Sequence, residues 1–264
     1  MGLFDGVIFC SDFDGTLAVK GKISQENCDA IAYFQKEGGI FCPTSGRRAP
    51  FFHKCAKYFK TNGPVIVLNG SMILSYGETP EEDTVLYESI IPDALARAYA
   101  KKIMTLPGVK KIALHERMAP VLLTVDGTDK PFTELESAEG QFRKIAVEHE
   151  VGMVDLLREA VEPEFGAHFF FSCSSDHIYE AQMIGSDKGS SVLRAKAFAK
   201  AHTLVCAGDY ENDIPMIRAA DIGYAVGDAQ ENVKAAADRV TVPCAEHAIR
   251  EIIRDLEREA RKKL

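Results

Sequence analysis

Short unbroken apolar runs alternate with amphipathic stretches as far as Tyr76. Val7 to Cys10 is apolar throughout and ends in Ser11-Asp12; Ile40 to Cys42 and Val65 to Leu68 repeat the pattern. Between the first two runs, Ala30, Ile31 and Phe34 share one helical face behind Ser24, a residue suited to cap a helix start. Gly38-Gly39 ends that helix, a second is predicted from Ala49 to Phe59, and Asn62-Gly63-Pro64 forms a turn. Continuous apolar strands separated by helices predict a parallel sheet covered on both faces.

The pattern changes between Gly77 and Gly185. Leu95, Tyr99, Ile103 and Leu106 make a helical stripe, and Lys111 to Leu114 with Val121 to Val125 predict a hairpin. Thr133-x-x-Glu136 has the spacing of a capping box, predicting a helix that runs towards Glu150 and carries Glu148-His149-Glu150 on a solvated face. His168 to Ser172 and Ile178 to Met183 are predicted strands. The alternation then resumes: a helix over Lys188 to Lys200, a strand over Thr203 to Ala207, a short helix at Pro215 to Ala219 and a strand over Ile222 to Val226. Asp228-x-x-Glu231 opens another short helix, Val240-Thr241-Val242 is a last strand, and Ile249, Ile252, Ile253 and Leu256 stripe a C-terminal helix with a basic end. The expected organisation is an α/β, Rossmann-like doubly wound parallel-sheet core over residues 1–76 and 186–264, interrupted by an inserted α+β domain over 77–185.

The chain has 264 residues and a formal net charge of −8. An acidic chain is a poor match for nucleic acid, whose affinity comes mainly from neutralised phosphates, while leaving room for a locally positive site for a small anion. No apolar run approaches the roughly 18 residues of a membrane span, and Met1 to Phe13 has neither a basic start nor a cleavage site, so no membrane partner and a cytoplasmic location are expected. Seven cysteines without a C-x-x-C pattern read as buried free thiols in a reducing compartment. Scattered histidines, and the absence of G-x-S-x-G and of a Walker loop, leave zinc hydrolase, serine esterase and P-loop readings without support.

In an open parallel sheet, ligands bind at the carboxyl ends of the strands. Four polar segments lie at such ends or open a helix beside them. In Asp12-Phe13-Asp14-Gly15-Thr16 two acids project to the same side of an extended chain, and glycine permits a sharp turn after them. At about 4 Å and an effective dielectric of about 20 they would repel by roughly 4 kcal/mol, which a hard divalent cation, Mg²⁺ above all, relieves. Thr44-Ser45-Gly46-Arg47 offers a hydroxyl and backbone amides to a phosphate oxygen, and taken alone reads equally well as a helix cap. Lys188 opens a helix, where a fixed ammonium would hold phosphate against an attacking carboxylate; taken alone it reads as a solvated surface lysine, as most lysines are. Gly208-Asp209-Tyr210-Glu211-Asn212-Asp213 adds two acids after another strand. Val125-Asp126-Gly127-Thr128 echoes the first segment with Thr124 in place of the leading acid and reads as a turn. His115, Glu116 and Arg117 lie near a strand end of the insert, where they could face a substrate.

The order D-x-D-G-T, S-G-R, isolated lysine, G-D-x-x-N-D resembles the haloacid dehalogenase superfamily. The insert between the second and third motifs resembles its Cof-type branch with a type-2 (C2B) cap, as do Asn69-Gly70-Ser71 and the run Gly223 to Ala229. The resemblance implies a phosphomonoester hydrolase for small phosphorylated metabolites, sugar phosphates among them. Asp12 would be the nucleophile, forming an aspartyl-phosphate, and Asp14 the acid and base. Mg²⁺ would be held by Asp12, Asp14 through its carbonyl, and Asp209, with Asp213 as an outer carboxylate. Ser45 and Lys188 would hold the phosphoryl group, with Gly46, Arg47, Asn69 and Asn212 around the substrate and Thr16 supporting the loop. Two other outcomes stay open: a phosphomutase of the phosphomannomutase type, and a catalytically silent sugar-phosphate-binding protein. Neither the substrate nor the oligomeric state is legible from the sequence.

Overall fold

Ser24 caps the first helix as its position predicts, its hydroxyl accepting from the Asn27 amide at 3.2 Å. From this computed structural model, which describes residues 2–55, 58–125 and 127–262, the core assembles in chain order. β1 (Val7–Asp12), the small hairpin β2 (Ala18–Val19) and β3 (Lys22–Ile23), α1 (Gln25–Lys36), β4 (Ile40–Thr44), α2 (Ala49–Cys55), β5 (Val65–Val67), β6 (Met72–Ser75) and β7 (Thr84–Glu88) come first. The insert follows: α3 (Asp93–Met104), β8 (Val109–His115), β9 (Pro120–Thr124), α4 (Lys130–Ser137), β10 (Lys144–His149), α5 (Val154–Phe165), β11 (Phe169–Ser175) and β12 (Ile178–Met183). The chain then returns through α6 (Lys188–Phe198), β13 (Thr203–Gly208), α7 (Ile214–Ala219), β14 (Ile222–Ala225), α8 (Glu231–Ala236), β15 (Arg239–Val240) and α9 (Ala248–Lys262).

The core sheet has the order β15-β14-β13-β1-β4-β5-β6-β7. Pairing is parallel from β15 to β5. Its two faces explain the unbroken apolar runs. Phe9 and Phe41 pack with Ile31, Phe34 and Ile252 on one side, while Ile8, Cys10 and Cys206 pack with Val192, Met216 and Ile217 on the other. All seven cysteines are buried and none is in a disulfide. No helix of the described residues is long and apolar enough to cross a membrane.

Three expectations need correction. β6 and β7 run antiparallel and extend the core sheet, so it continues to Glu88 and a boundary at 77 would cut its edge strand away. β7 is half-exposed along its length and therefore carried no core signature. The helix expected from Thr133 towards Glu150 stops at Ser137, and Gly140, at φ 150°, redirects the chain into β10. There Ile145, Val147 and His149 alternate with Lys144, Ala146 and Glu148, so the period is two rather than 3.6. His149 is consequently buried, not on a solvated helical face, and α5 lies where no helix was expected. Finally, α2 is described over Ala49–Cys55 and Phe59 lies outside any helix; residues 56 and 57 between them, and Asp126, where a turn was expected, lie outside the described residues.

The insert forms a five-stranded antiparallel sheet, β11-β12-β10-β8-β9. Ile112, Leu114, Ile145, Val147, Tyr179 and Ala181 pack with α3 and α5 residues such as Tyr99, Ile103, Leu157 and Val161. The alternate residues of the same strands form a more polar face that roofs the carboxyl end of the core sheet.

Candidate active site

The ends of β1, β4 and β13 meet under that roof. Asp12 closes β1, and α6 begins at Lys188, whose ammonium lies 2.6 Å from Asp12 Oδ1 and 2.5 Å from Asp213 Oδ1. Lys188 is only 1 % exposed, so its charge depends on these two carboxylates. Burial by itself would lower its pKa; Asp12 and Asp213 outweigh that and hold it above the ordinary lysine value. Asp213 is fixed from the other side by the Asp209 and Tyr210 amides, which donate to its Oδ2 at 2.9 and 3.2 Å. The Thr16 hydroxyl donates to Asp209 Oδ1 at 2.7 Å, tying the first motif to the fourth. Gly15 permits this approach: its φ is +91°, and a Cβ there would stand 2.4 Å from Asp209 Oδ2.

Asp12, Asp209 and Asp213 each offer an oxygen within 4.8 Å of the others. At that separation each pair repels by about 3.5 kcal/mol at an effective dielectric of about 20. Lys188 compensates one of the three charges. The remainder appears in the titration: burial first, then Asp213 and Asp209, push the Asp12 carboxyl well above its usual range against the pull of Lys188. Burial and the Asp213 charge likewise raise Asp209 to about 7, although Thr16 and Lys188 oppose them. A cluster of three carboxylates with one compensating ammonium is a set of hard oxygen donors short of positive charge, and it fits a divalent cation such as Mg²⁺.

The other expected residues fall around this centre. Asp14 is half-exposed beside Asp12, and both its oxygens are taken by Arg47, at 2.5 Å from Nε and 2.9 Å from Nη2. Ser45, Gly46, Arg47 and Asn212 line a cavity of about 680 Å³ together with Asp12, Asp14, Asp209 and Asp213. Asn69 stands behind it, buried, in the left-handed region at φ 56°. Its amide accepts from Asn212 Nδ2 at 3.2 Å and donates to Glu180 Oε2 at 2.6 Å. Of His115, Glu116 and Arg117, His115 lines the cavity, whereas Arg117 donates to the Pro80 and Asp83 carbonyls and fastens the insert to the core.

Apart from His115, the roof residues were not anticipated. Lys144 on β10 donates to Glu180 Oε1 at 2.5 Å and to the Gly46 carbonyl at 2.9 Å, and both charged side chains are buried. Reading residues 144–149 as a strand would have exposed the signal, since it places a lysine and an alanine on the face opposite Ile145 and Val147. Arg48, Lys54, His177 and Tyr210 also line the cavity.

The family profile described as haloacid dehalogenase-like hydrolase matches residues 9–253. The chain belongs to that family. Among its relatives this hydrolase is 25% identical over 239 residues to a phosphoglycolate phosphatase of Methanopyrus kandleri, covering 87% of this chain and 88% of that one. It is 25% identical over 234 residues to a phosphoglycolate phosphatase of Thermoplasma volcanium, covering 87% and 89%. Among solved structures, a phosphatase of the same superfamily from Bacteroides thetaiotaomicron superposes with a TM-score of 0.79 at 19% identity, over 96% of both chains. The subclass IIB sugar phosphatase BT4131 superposes with a TM-score of 0.72 at 20% identity, over 94% of this chain and 98% of that one. Membership places the chain among the phosphatase-type hydrolases of the Cof-type branch.

Proposed function

We propose that this phosphatase hydrolyses phosphomonoesters of small metabolites, sugar phosphates among them, in a Mg²⁺-dependent reaction through an aspartyl-phosphate on Asp12. The observation that carries the reading is the convergence of Asp12, Asp209 and Asp213 at the floor of one roofed cavity, with Lys188 buried against Asp12 and Asp213, from three distant stretches of chain. Asp12 and Asp209, with Asp213 and the Asp14 carbonyl, would hold Mg²⁺. When bound, the ion supplies Lewis-acid stabilisation of the charge on the transferring phosphoryl group.

The protein's own groups account for the remainder. Lys188 pins Asp12 Oδ1, and among the described residues no hydrogen bond engages Oδ2. An Asp12 oxygen forms a bond to phosphorus as the phosphorus–alkoxide oxygen bond breaks, and Asp14 gives its proton to the departing alkoxide. In the second half Asp14 takes a proton from water, whose oxygen bonds to phosphorus as the bond to Asp12 breaks. Asp14 must leave Arg47 to do this, which frees the guanidinium for the phosphoryl oxygens beside the Ser45 hydroxyl. The roof limits bulk water near the acyl phosphate.

The test is phosphate release from p-nitrophenyl phosphate with Mg²⁺. Asp12→Asn, which preserves shape, is expected to lower kcat by at least about 10³-fold and to abolish an acid-stable phosphoenzyme. Retention of most activity would remove Asp12 as nucleophile. Formation of an isomeric sugar phosphate in place of free phosphate would make the enzyme a mutase.

A further inference from the structure

Resting on the phosphatase reading, we infer that the leaving group carries a second anionic group, a carboxylate or a second phosphate, bound by Arg48 and Lys54. The cations of the cavity divide into two sets. Lys188 is matched by Asp12 and Asp213, Arg47 by Asp14, and Lys144 by Glu180. Arg48 and Lys54 line the same cavity, and neither forms an ion pair among the described residues. Arg48 donates to the Met118 carbonyl of the insert, which orients the guanidinium without neutralising it. Two unmatched cations in one cavity run against the composition, since the chain has 39 acidic and 31 basic residues and acids are in surplus.

The two lie on one stretch of chain. Arg48 directly follows the phosphate-binding segment Ser45-Gly46-Arg47, and Lys54 is a turn and a half further on, in α2. A ligand whose phosphate sits at Asp12 therefore meets them with its other end. His115 lines the cavity as well. Burial, then the Lys144 and Arg48 charges, push its pKa down to about 2, so it is a neutral imidazole. Its Nδ1 is buried without a hydrogen-bond partner. A neutral ring nitrogen suits a hydroxyl group, as do the hydroxyls of Ser174 and Ser175 elsewhere in the cavity wall. The site thus fits a short hydroxylated carbon chain with an anion at each end, and about 680 Å³ is ample for one.

Two matched pairs of compounds test this, each measured as a competitor of p-nitrophenyl phosphate turnover and as a substrate: 6-phosphogluconate against glucose 6-phosphate, and fructose 1,6-bisphosphate against fructose 6-phosphate. At least one doubly anionic compound is expected to bind about tenfold or more tightly than its partner, and the pair that does so identifies carboxylate or phosphate. Arg48→Gln and Lys54→Gln should each bring that ratio close to one, acting on KM more than on kcat, and the charge reversal Lys54→Glu should invert it. Lys54 is exposed, so its variants test the inference without threatening the fold. Ratios near one for the wild type in both pairs, or variants that weaken both members of a pair equally, would overturn the inference and leave the phosphatase reading standing. Failure of the wild type to hydrolyse p-nitrophenyl phosphate would instead overturn that reading and this inference with it.

Discussion

Removing the divalent cation should make the folded protein lose stability as pH rises, with Asp209 setting the slope. Burial and the Asp213 charge raise its carboxyl from the ordinary 3.8 to about 7. In the unfolded chain the same group ionises near its ordinary value, so between those two values the folded state binds more protons. The stabilisation is therefore fully present below pH about 4 and is lost as pH climbs through about 7. Once the group is fully ionised the difference is on the order of 4 kcal/mol. Asp209→Asn keeps an acceptor for the Thr16 hydroxyl and removes the charge. In chelator the variant should match the wild type at pH about 4 and exceed it by up to about 4 kcal/mol at pH about 8. With excess Mg²⁺ the order should reverse above pH about 7, because only the wild type gains from an ion that binds the folded state alone. Urea unfolding followed by far-ultraviolet circular dichroism, in chelator and in Mg²⁺ across this range, measures the difference directly. If the wild type in chelator does not lose stability relative to Asp209→Asn between pH about 4 and 8, the three carboxylates are not competing for positive charge and the metal assignment loses its physical basis.

Gly15→Ala should abolish phosphatase activity and weaken Mg²⁺ binding, because its Cβ would stand 2.4 Å from Asp209 Oδ2 at a φ of +91°; isothermal titration with Mg²⁺ checks the binding, and undiminished affinity would refute the steric argument. Lys144→Met alone should cost about 3–5 kcal/mol by leaving Glu180 buried and unpaired, whereas Lys144→Met with Glu180→Leu should restore most of that loss. Denaturant midpoints of the single and double variants decide it, and equal losses in both would show that the charges are not coupled.

The candidate site of the core was legible because its first, second and fourth motifs are contiguous and end or follow a strand that declares itself. β1 is apolar from Val7 to Cys10 and β13 from Leu204 to Ala207, so the acids at and just beyond their ends stand out as residues with no structural use. The same property hid the rest. β7 is half-exposed and joins the core sheet only through its pairing with β6, which local pattern cannot reveal. Thr133 and Glu136 have capping-box spacing, yet Thr133 lies inside α4, its hydroxyl donating to the Asp129 carbonyl at 3.3 Å. Extending that helix past Gly140 changed the period of β10 and put His149 on the wrong surface. The pairing of Asp14 with Arg47 was equally out of reach, since two residues 33 positions apart meet only through the neighbouring strands β1 and β4.

The roof shows why this half of the site leaves so faint a trace. A catalytic floor needs acids clustered at strand ends, where the backbone itself brings them together. A roof needs only alternate positions of an ordinary sheet, and on β10 and β12 those are Lys144, Ala146, Ile178, Glu180 and Gln182. Two charges among them are buried, which would be costly if they were separated. Their strands are hydrogen-bonded neighbours, with Ala146 opposite Glu180, so the charges neutralise each other within the insert. What remains for the core is satisfied by neutral groups, the Gly46 carbonyl for Lys144 and the Asn69 amide for Glu180. Docking the roof on the core therefore desolvates a pair rather than two lone ions, and the contact falls on Gly46 and Asn69, in the segments expected around the substrate. The same strap continues from Asn69 to Asn212. The arrangement couples the seating of the insert to the position of the second and fourth motifs through three hydrogen bonds, from Lys144 to the Gly46 carbonyl, from Asn69 to Glu180 and from Asn212 to Asn69.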